Sequence, residues 1–138
     1  MRANVTQSAL ACAVVLAFAG PAAAHHSFAM FDSTKTMTMD ATVVQFQFTN
    51  PHSWLEIDVK GPDGIKHWSL EMNNLVALRR SGWRQGTVKP GDKVKVVMHP
   101  IRDGSLAGQL ISMTTPDGKV WGGQGPPPGE RAGGGGAG

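Results

Sequence analysis

The chain has almost no cysteine, little excess of charge and no apolar run long enough to cross a membrane. Its single cysteine, Cys12, lies in the N-terminal apolar stretch, so the remaining chain has no thiol for disulfides, thiolate metal sites or nucleophilic catalysis. Lipid attachment at Cys12 stays open as an alternative, although the apolar stretch continues past this residue. The formal net charge is only +3, which argues against the broad basic surface of a nucleic-acid-binding protein.

The first 24 residues have the composition of a secretory signal peptide. An apolar run over 9–20 is followed by Ala22 and Ala24, the small residues that signal peptidase needs before a cut. The apolar run is well short of the roughly 20 residues that span a bilayer, so no membrane span is expected. The sequence therefore predicts export to the periplasm, with cleavage that makes His25 the new N-terminus.

Composition divides the rest of the chain into a foldable part and a tail. Glycine and proline dominate residues 122–138, which have almost nothing apolar to bury, so we expect a disordered tail there. Residues 25–121 must then supply the core, and their length suits one small domain. The expected organisation is a signal peptide at 1–24, one domain at 25–121 and a disordered tail at 122–138.

Alternating apolar and polar residues predict five strands and one short helix. In the first strand the phase reverses at Val43-Val44, with Val44 starting the new apolar set, which predicts a β-bulge or sharp bend. The segment Gly61-Pro62-Asp63-Gly64 predicts the hairpin turn between strands two and three. Asn73 or Asn74 can cap the helix, and a fifth strand is expected from about Ala107 to Thr115.

The order strand, strand, strand, helix, strand, strand matches the oligonucleotide/oligosaccharide-binding (OB) fold. The expected fold class is therefore all-β with one short helix, arranged as a small five-stranded OB-like barrel. A sandwich or an open sheet capped by one helix is the alternative. In an OB barrel, ligands bind on the outer face of strands two and three, between the first-second and fourth-fifth loops.

The predicted outer face of strands two and three is aromatic and acidic. Its residues are Trp54, Glu56, Asp58, His67, Ser69 and Glu71, and the flanking loops add His52 and Arg102. A phosphate backbone needs lysine and arginine, so this face opposes nucleic-acid binding and suits a cation, a sugar or a protein partner. The alternative is an ordinary solvated surface.

Cleavage before His25 would place a free amino group beside the imidazoles of His25 and His26. The amino nitrogen and Nδ1 of a terminal histidine can chelate copper, and imidazole suits copper or zinc. Because the first and fourth strands of the barrel are antiparallel, His99 should approach the lead-in to the first strand and supply a further ligand. The predicted metal site is His25, His26 and His99. The alternative is that the histidine pair binds no metal and that His99 only holds its own loop together.

Five segments of the chain together resemble a family of small exported bacterial proteins of unknown function. They are HHSFAMFD at 25–32, TNPHSW at 49–54, SGW at 81–83, KPGD at 89–92 and HPIRDG at 99–104. These segments span nearly the whole predicted domain. The resemblance implies an exported protein with a small β-rich fold, and it implies no activity, cofactor or catalytic residue.

Three classes of function stay open. The first is a periplasmic module that binds a metal ion, with copper as the expected metal. The second is an envelope accessory protein that docks a protein partner through the face containing Trp54, Glu56, His67 and Glu71. The third is an enzyme using Glu56 and Glu71 for acid-base chemistry. The chain has no nucleophile elbow, phosphate-binding loop or triad-like spacing, so we expect no enzymatic activity.

Overall fold

Six strands and one short helix make up residues 28–127, the part of the chain that a computed structural model describes. The strands are β1 Met37–Gln47, β2 Trp54–Gly61, β3 Gly64–Glu71, β4 Lys93–Pro100, β5 Ala107–Thr114 and β6 Val120–Gly122; the helix is α1 Leu75–Arg80, and a 3₁₀ turn, Phe28–Met30, precedes β1. The predicted element order is confirmed. The predicted signal peptide, His25, His26 and residues 128–138 lie outside the described residues.

Five of the strands close into a barrel. β1 lies between β2 and β4, with antiparallel pairing on both sides, and β2 and β4 pair in turn with β3 and β5. A parallel pairing of β3 with β5, in which Leu70 is opposite Gly108, closes the ring. The short β6 pairs with β5 as an extra strand. The predicted small all-β, OB-like barrel with one short helix is confirmed.

β1 contains the predicted β-bulge. Val43 pairs with Ile57 of β2, and Gln45 pairs with the residue just before Ile57, so Val44 is the extra residue. Val43 is buried, whereas Val44 is exposed, and the inward alternation resumes at Phe46. The expectation that Val44 starts the new apolar set was wrong, because a bulge residue has no cross-strand partner and here faces outward.

The barrel interior is filled by side chains from all five strands, and α1 and the residue Trp83 add to the same core. The fully buried apolar residues are Val43, Leu55, Ile57, Leu70, Met72, Leu78, Trp83, Val96, Met98, Leu110 and Met113. α1 begins after Asn74, whose side-chain oxygen accepts a hydrogen bond from the backbone nitrogen of Ala77. This N-cap lets a helix of only six residues form and direct Leu78 into the core.

The folded chain continues past Trp121, where composition placed the end of the domain. The backbone nitrogen of Gly123 donates to Ile111 of β5, and the side chain of Gln124 donates to the carbonyl oxygen of Leu110. A Cβ atom on Gly122 or Gly123 would collide with backbone atoms. The glycines that suggested disorder therefore allow the chain to lie directly against β5, and the fold includes the first residues of the predicted tail.

Candidate functional site

Four polar side chains on the outer face of β2 and β3 form one hydrogen-bonded group, which we call the His67 cluster: Glu56, Asp58, His67 and Ser69. Strand pairing places Asp58 opposite His67 and Glu56 opposite Ser69. His67 Nδ1 lies 2.9 Å from Asp58 Oδ1, and His67 Nε2 lies 3.0 Å from Glu56 Oε2. The hydroxyl of Ser69 donates to the second Glu56 oxygen at 2.8 Å. Each carboxylate is thus held by a neighbour on the adjacent strand.

The surroundings of His67 favour its protonated form. An imidazole donates from both nitrogens only when it is protonated, and both nitrogens of His67 face carboxylate oxygens. The hydrogen bond with Asp58 contributes most to raising the pKa of His67 above its ordinary value. Desolvation, the next largest effect, opposes this rise, and the hydrogen bond and charge of Glu56 add to it. The cluster therefore favours a protonated imidazole between two carboxylates on an open surface.

A second histidine-carboxylate pair lies at the end of β3. His52 Nδ1, in the loop between β1 and β2, is 3.1 Å from Glu71 Oε1. The side chain of Glu71 is only 8% exposed, whereas that of His52 is 35% exposed. Trp54 of β2 and Gln109 of β5 are paired with Glu71 from its two sides. Glu71 is thus enclosed between neighbouring strands, whereas strand parity alone predicted a solvent-facing carboxylate.

Five of the predicted partner-face residues lie along this one surface of β2, β3 and the loop before β2. They are His52, Trp54, Glu56, His67 and Glu71. Trp54 is half-buried at the start of β2. The surface therefore combines three carboxylates, counting Asp58, with two histidines and one aromatic ring.

Arg102, the sixth predicted residue of that face, holds a different part of the chain. Its backbone nitrogen donates to Met30 and its Nε to the carbonyl oxygen of Ala29, both at 2.9 Å. Its guanidinium lies 3.7 Å from Asp32 Oδ1. Hydrogen bonds from Thr34 do most to hold the pKa of Asp32 at about 2, so Asp32 is a carboxylate at neutral pH. Arg102 therefore fastens the lead-in segment, residues 28–36, to the loop after β4.

His99 lies beside the same lead-in segment, as the antiparallel arrangement of β1 and β4 predicted. Its Nδ1 donates to the carbonyl oxygen of Lys35 at 2.7 Å, because a carbonyl can only accept. A bridge between Phe31 and Ile101 continues the contact. In the neutral ring this bond leaves Nε2 with the lone pair that binds a metal.

The other two predicted metal ligands, His25 and His26, lie outside the described residues. Within residues 28–127, no three histidine, aspartate or glutamate side chains are grouped so that they could hold a metal ion. His99 is therefore the one residue of the predicted metal site for which the structure gives a position.

A cleft that the sequence analysis did not single out lies across β2, β1, β4 and β5. It has a volume of about 510 Å³. Its charged lining residues are Asp40, Asp58, Lys60, Lys93 and Lys95. The alternating lysines of β4 are visible in the sequence as KVKV at 93–96. Strand pairing brings these lysines close to Lys60 of β2. The alternation of residues within a single strand therefore cannot predict the cleft.

Comparisons with known proteins give a family and no closer relative. Residues 12–110 match the model of DUF6152, described as a family of unknown function. No curated protein and no solved structure matches the chain. Among residues 28–127 no helix is both long and apolar enough to cross a membrane.

Proposed function

We propose that this chain, which belongs to the family of unknown function DUF6152, is an exported binding module that captures a copper ion at its mature N-terminus. Cleavage before His25 would free an amino nitrogen, which can chelate the metal together with Nδ1 of the same residue. The imidazoles of His26 and His99 are the further ligands. Nitrogen donors of this kind bind copper more tightly than other divalent metals of the first transition row.

The observation that carries this proposal is the hydrogen bond from His99 Nδ1 to the carbonyl oxygen of Lys35. A backbone carbonyl that accepts from one ring nitrogen is the usual way in which proteins orient a metal-binding histidine, with the other nitrogen directed to the metal. The carbonyl belongs to the lead-in segment, which the chain from His25 must enter. One imidazole is thus oriented beside the lead-in segment.

The anchoring of the lead-in segment supports the same conclusion. Asp32 donates from its backbone nitrogen to the carbonyl oxygen of Pro100 at 2.8 Å, and Arg102 binds the carbonyl oxygens of Ala29 and Met30. Only two residues, Ser27 and Phe28, separate His26 from Ala29 in the sequence, and a chain reaches no more than about 3.5 Å per residue. The proposal therefore needs only a short length of chain between the N-terminal histidines and the anchored segment beside His99.

The test is a copper titration of the protein purified from the periplasm, after its intact mass has located the N-terminus. We expect a mass that begins at His25 and one tightly bound Cu(II) per chain, measured by competition with a chelator. An extra alanine before His25 should abolish tight binding, and His99→Gln should weaken it. His67→Gln, on the β2–β3 face, is the matched control and should bind as the native protein does. An extended variant that binds copper as tightly as the native chain would contradict the proposal.

A second candidate function has its own support: docking of a basic protein surface on the β2–β3 face. Glu56 and Asp58 give this face two carboxylates, and Trp54 is a half-buried aromatic residue on the same face. Aromatic residues often supply most of the binding energy of an interface, and charge complementarity selects the partner.

The partner proposal is tested by affinity capture from an envelope fraction at low and high salt. We expect Trp54→Ala and Glu56→Gln to lose a partner that the native protein captures at low salt. Val76→Ala, at an exposed position of α1, is the control and should retain it. Recovery of the same partner by Trp54→Ala would count against this function.

A further inference from the structure

Strand pairing gathers three lysines from two strands onto one patch of the outer barrel surface. Asp40 of β1 is paired with Lys95 of β4, and the next residue of β1 on the same face, Thr42, is paired with Lys93. On the other side of β1, Lys60 of β2 lines the same cleft. Because residues two apart on a strand share a face, these side chains project to the same side of the sheet.

The cleft formed by these side chains has the size of a small-ligand site. Its volume of about 510 Å³ lies within the range of roughly 300–1,000 Å³ that is typical of such sites. Thr114 and Pro116 at the end of β5 line the side next to Lys95, and the side chains of Ala41 and Val94 are buried in the core beneath the cleft. A ligand here would meet cationic and hydroxyl groups.

Each of the two carboxylates of the cleft is already paired with a basic side chain. Asp40 Oδ1 lies 2.9 Å from the ammonium nitrogen of Lys95. Asp58 Oδ1 lies 2.9 Å from Nδ1 of His67, whose protonated form the His67 cluster favours. These pairs offset the negative charge that would otherwise repel an anion from the cleft.

The other two lysines of the cleft have no such partner. Lys93 donates to the hydroxyl oxygen of Thr42 at 2.6 Å, and within residues 28–127 neither Lys60 nor Lys93 forms an ion pair. The oxygen of Thr42 accepts from Lys93, so its own hydrogen is left to donate to a ligand. Two ammonium groups and one hydroxyl are thus available to an anion.

The type of donor indicates the class of anion. Arginine is the side chain whose planar fork matches a carboxylate, and no arginine lines the cleft. Lysine acts on phosphate as a point charge, and a tetrahedral phosphate presents oxygens in several directions at once. We infer that the cleft between Lys60 and Lys93 binds a phosphate monoester, carried by a small soluble molecule or by a lipid headgroup. This site is separate from the proposed copper site and shares only Asp58 with the β2–β3 face.

The experiment compares two double variants of equal net charge. Lys60→Gln/Lys93→Gln removes both unpaired ammonium groups, and Lys66→Gln/Lys89→Gln removes two exposed lysines that do not line the cleft. Each protein is titrated with glycerol 3-phosphate, followed by NMR, and is sedimented with phosphatidylcholine vesicles that do or do not contain phosphatidic acid. Both probes have a phosphate monoester, and they differ in its source.

We expect saturable binding of at least one probe by the native protein and the control, and binding at least about tenfold weaker in Lys60→Gln/Lys93→Gln, because charged hydrogen bonds are lost. Binding of glycerol 3-phosphate identifies a soluble ligand, and binding of the phosphatidic acid vesicles alone identifies a lipid headgroup. Two results would overturn the inference. One is that neither probe binds with a dissociation constant below about 10 mM. The other is that the two double variants lose binding equally, which would show only general charge attraction.

Discussion

Trp83 donates a hydrogen bond from its indole nitrogen to the carbonyl oxygen of Gly122, 2.9 Å away, and both residues are buried. Trp83 follows α1, and Gly122 ends β6, so this bond connects the helical segment to the strand outside the barrel. The ring of Trp83 also packs on Phe46 at 5.2 Å and on Trp121 at 5.4 Å between ring centroids. One side chain thus joins α1, β1 and β6 in the same core.

Replacing Trp83 with phenylalanine should destabilise the fold by about 3 kcal/mol. The carbonyl oxygen of Gly122 would lose its buried donor, and the smaller ring would leave a cavity. Urea unfolding of Trp83→Phe measures the free energy. Trp54→Phe, at a half-buried position, is the control and should cost less than about 1 kcal/mol. Equal losses in the two variants would contradict the role given to the indole nitrogen.

Gly108 allows β5 to pair closely with β4 where the barrel closes. We expect Gly108→Ala to lower the free energy of unfolding by about 1–3 kcal/mol. A Cβ atom there would lie 2.6 Å from the carbonyl oxygen of His99 and 2.7 Å from the sulfur of Met98. The methionine can move aside, whereas the carbonyl oxygen belongs to the paired strand. Thermal unfolding measures the effect. Gly86→Ala, which meets nothing within 4 Å, should be neutral or slightly stabilising, and a similar loss at both positions would refute this account.

The bulge in β1 predicts opposite outcomes for two adjacent valines. Val43 is 1% exposed and Val44 is 37% exposed. Threonine has nearly the same shape as valine, so Val43→Thr places a hydroxyl in the core and should cost about 1–3 kcal/mol. Val44→Thr should change the free energy of unfolding by less than about 0.5 kcal/mol. Urea unfolding of both variants checks the position of the bulge, and a larger loss at Val44 would show that the bulge lies elsewhere.

The His67 cluster should make a small part of the stability depend on pH. A group whose pKa is raised in the folded state stabilises the protein fully below its unfolded pKa, here 6.5, and loses that effect as pH rises through the folded pKa. The stability advantage of the native protein over His67→Gln should therefore be largest below pH 6.5 and decline above it. The advantage should be small, because the side chain of His67 is 53% exposed.

An NMR titration of the His67 ring tests the cause of the raised pKa directly. Asp58→Asn should lower the pKa of His67 further than Glu56→Gln does, because the bond with Asp58 is the larger contribution. A native His67 that titrates at or below 6.5 would show that the cluster does not hold the protonated ring.

The elements of this fold were predictable because their signals lie among neighbouring residues. Alternation located the strands, the phase reversal at Val43-Val44 located the bulge, and the pair Asn73-Asn74 located the helix cap. The same alternation placed Trp54, Glu56 and His67 on one face of the sheet, since residues two apart on a strand share a face. Local pattern is sufficient for each of these features.

The enclosure of Glu71 and the position of Arg102 were not predictable in this way. Glu71 is covered by a parallel neighbour on β5 and by His52, and Arg102 binds backbone atoms that lie about 70 residues earlier in the chain. Strand parity says which side of a sheet a residue occupies, and it does not say what else packs on that side. The ordered packing of Gly122 and Gly123 was also not predictable from local sequence. A glycine has no side chain, so it can pack closely against a strand as readily as it can belong to a disordered tail.

The sequence by itself determined the order of the strands along the chain, the hairpin turn and the β-bulge, and it favoured a small barrel, because hydrophobic alternation and turn chemistry act between residues close along the chain. Only the tertiary structure decided which strands close the ring, which lysines share a cleft and which backbone carbonyl orients His99. These features join residues far apart in sequence, such as Lys35 with His99 and Trp83 with Gly122. Their partners are selected by the closure of the barrel, which brings together strands that no local pattern connects.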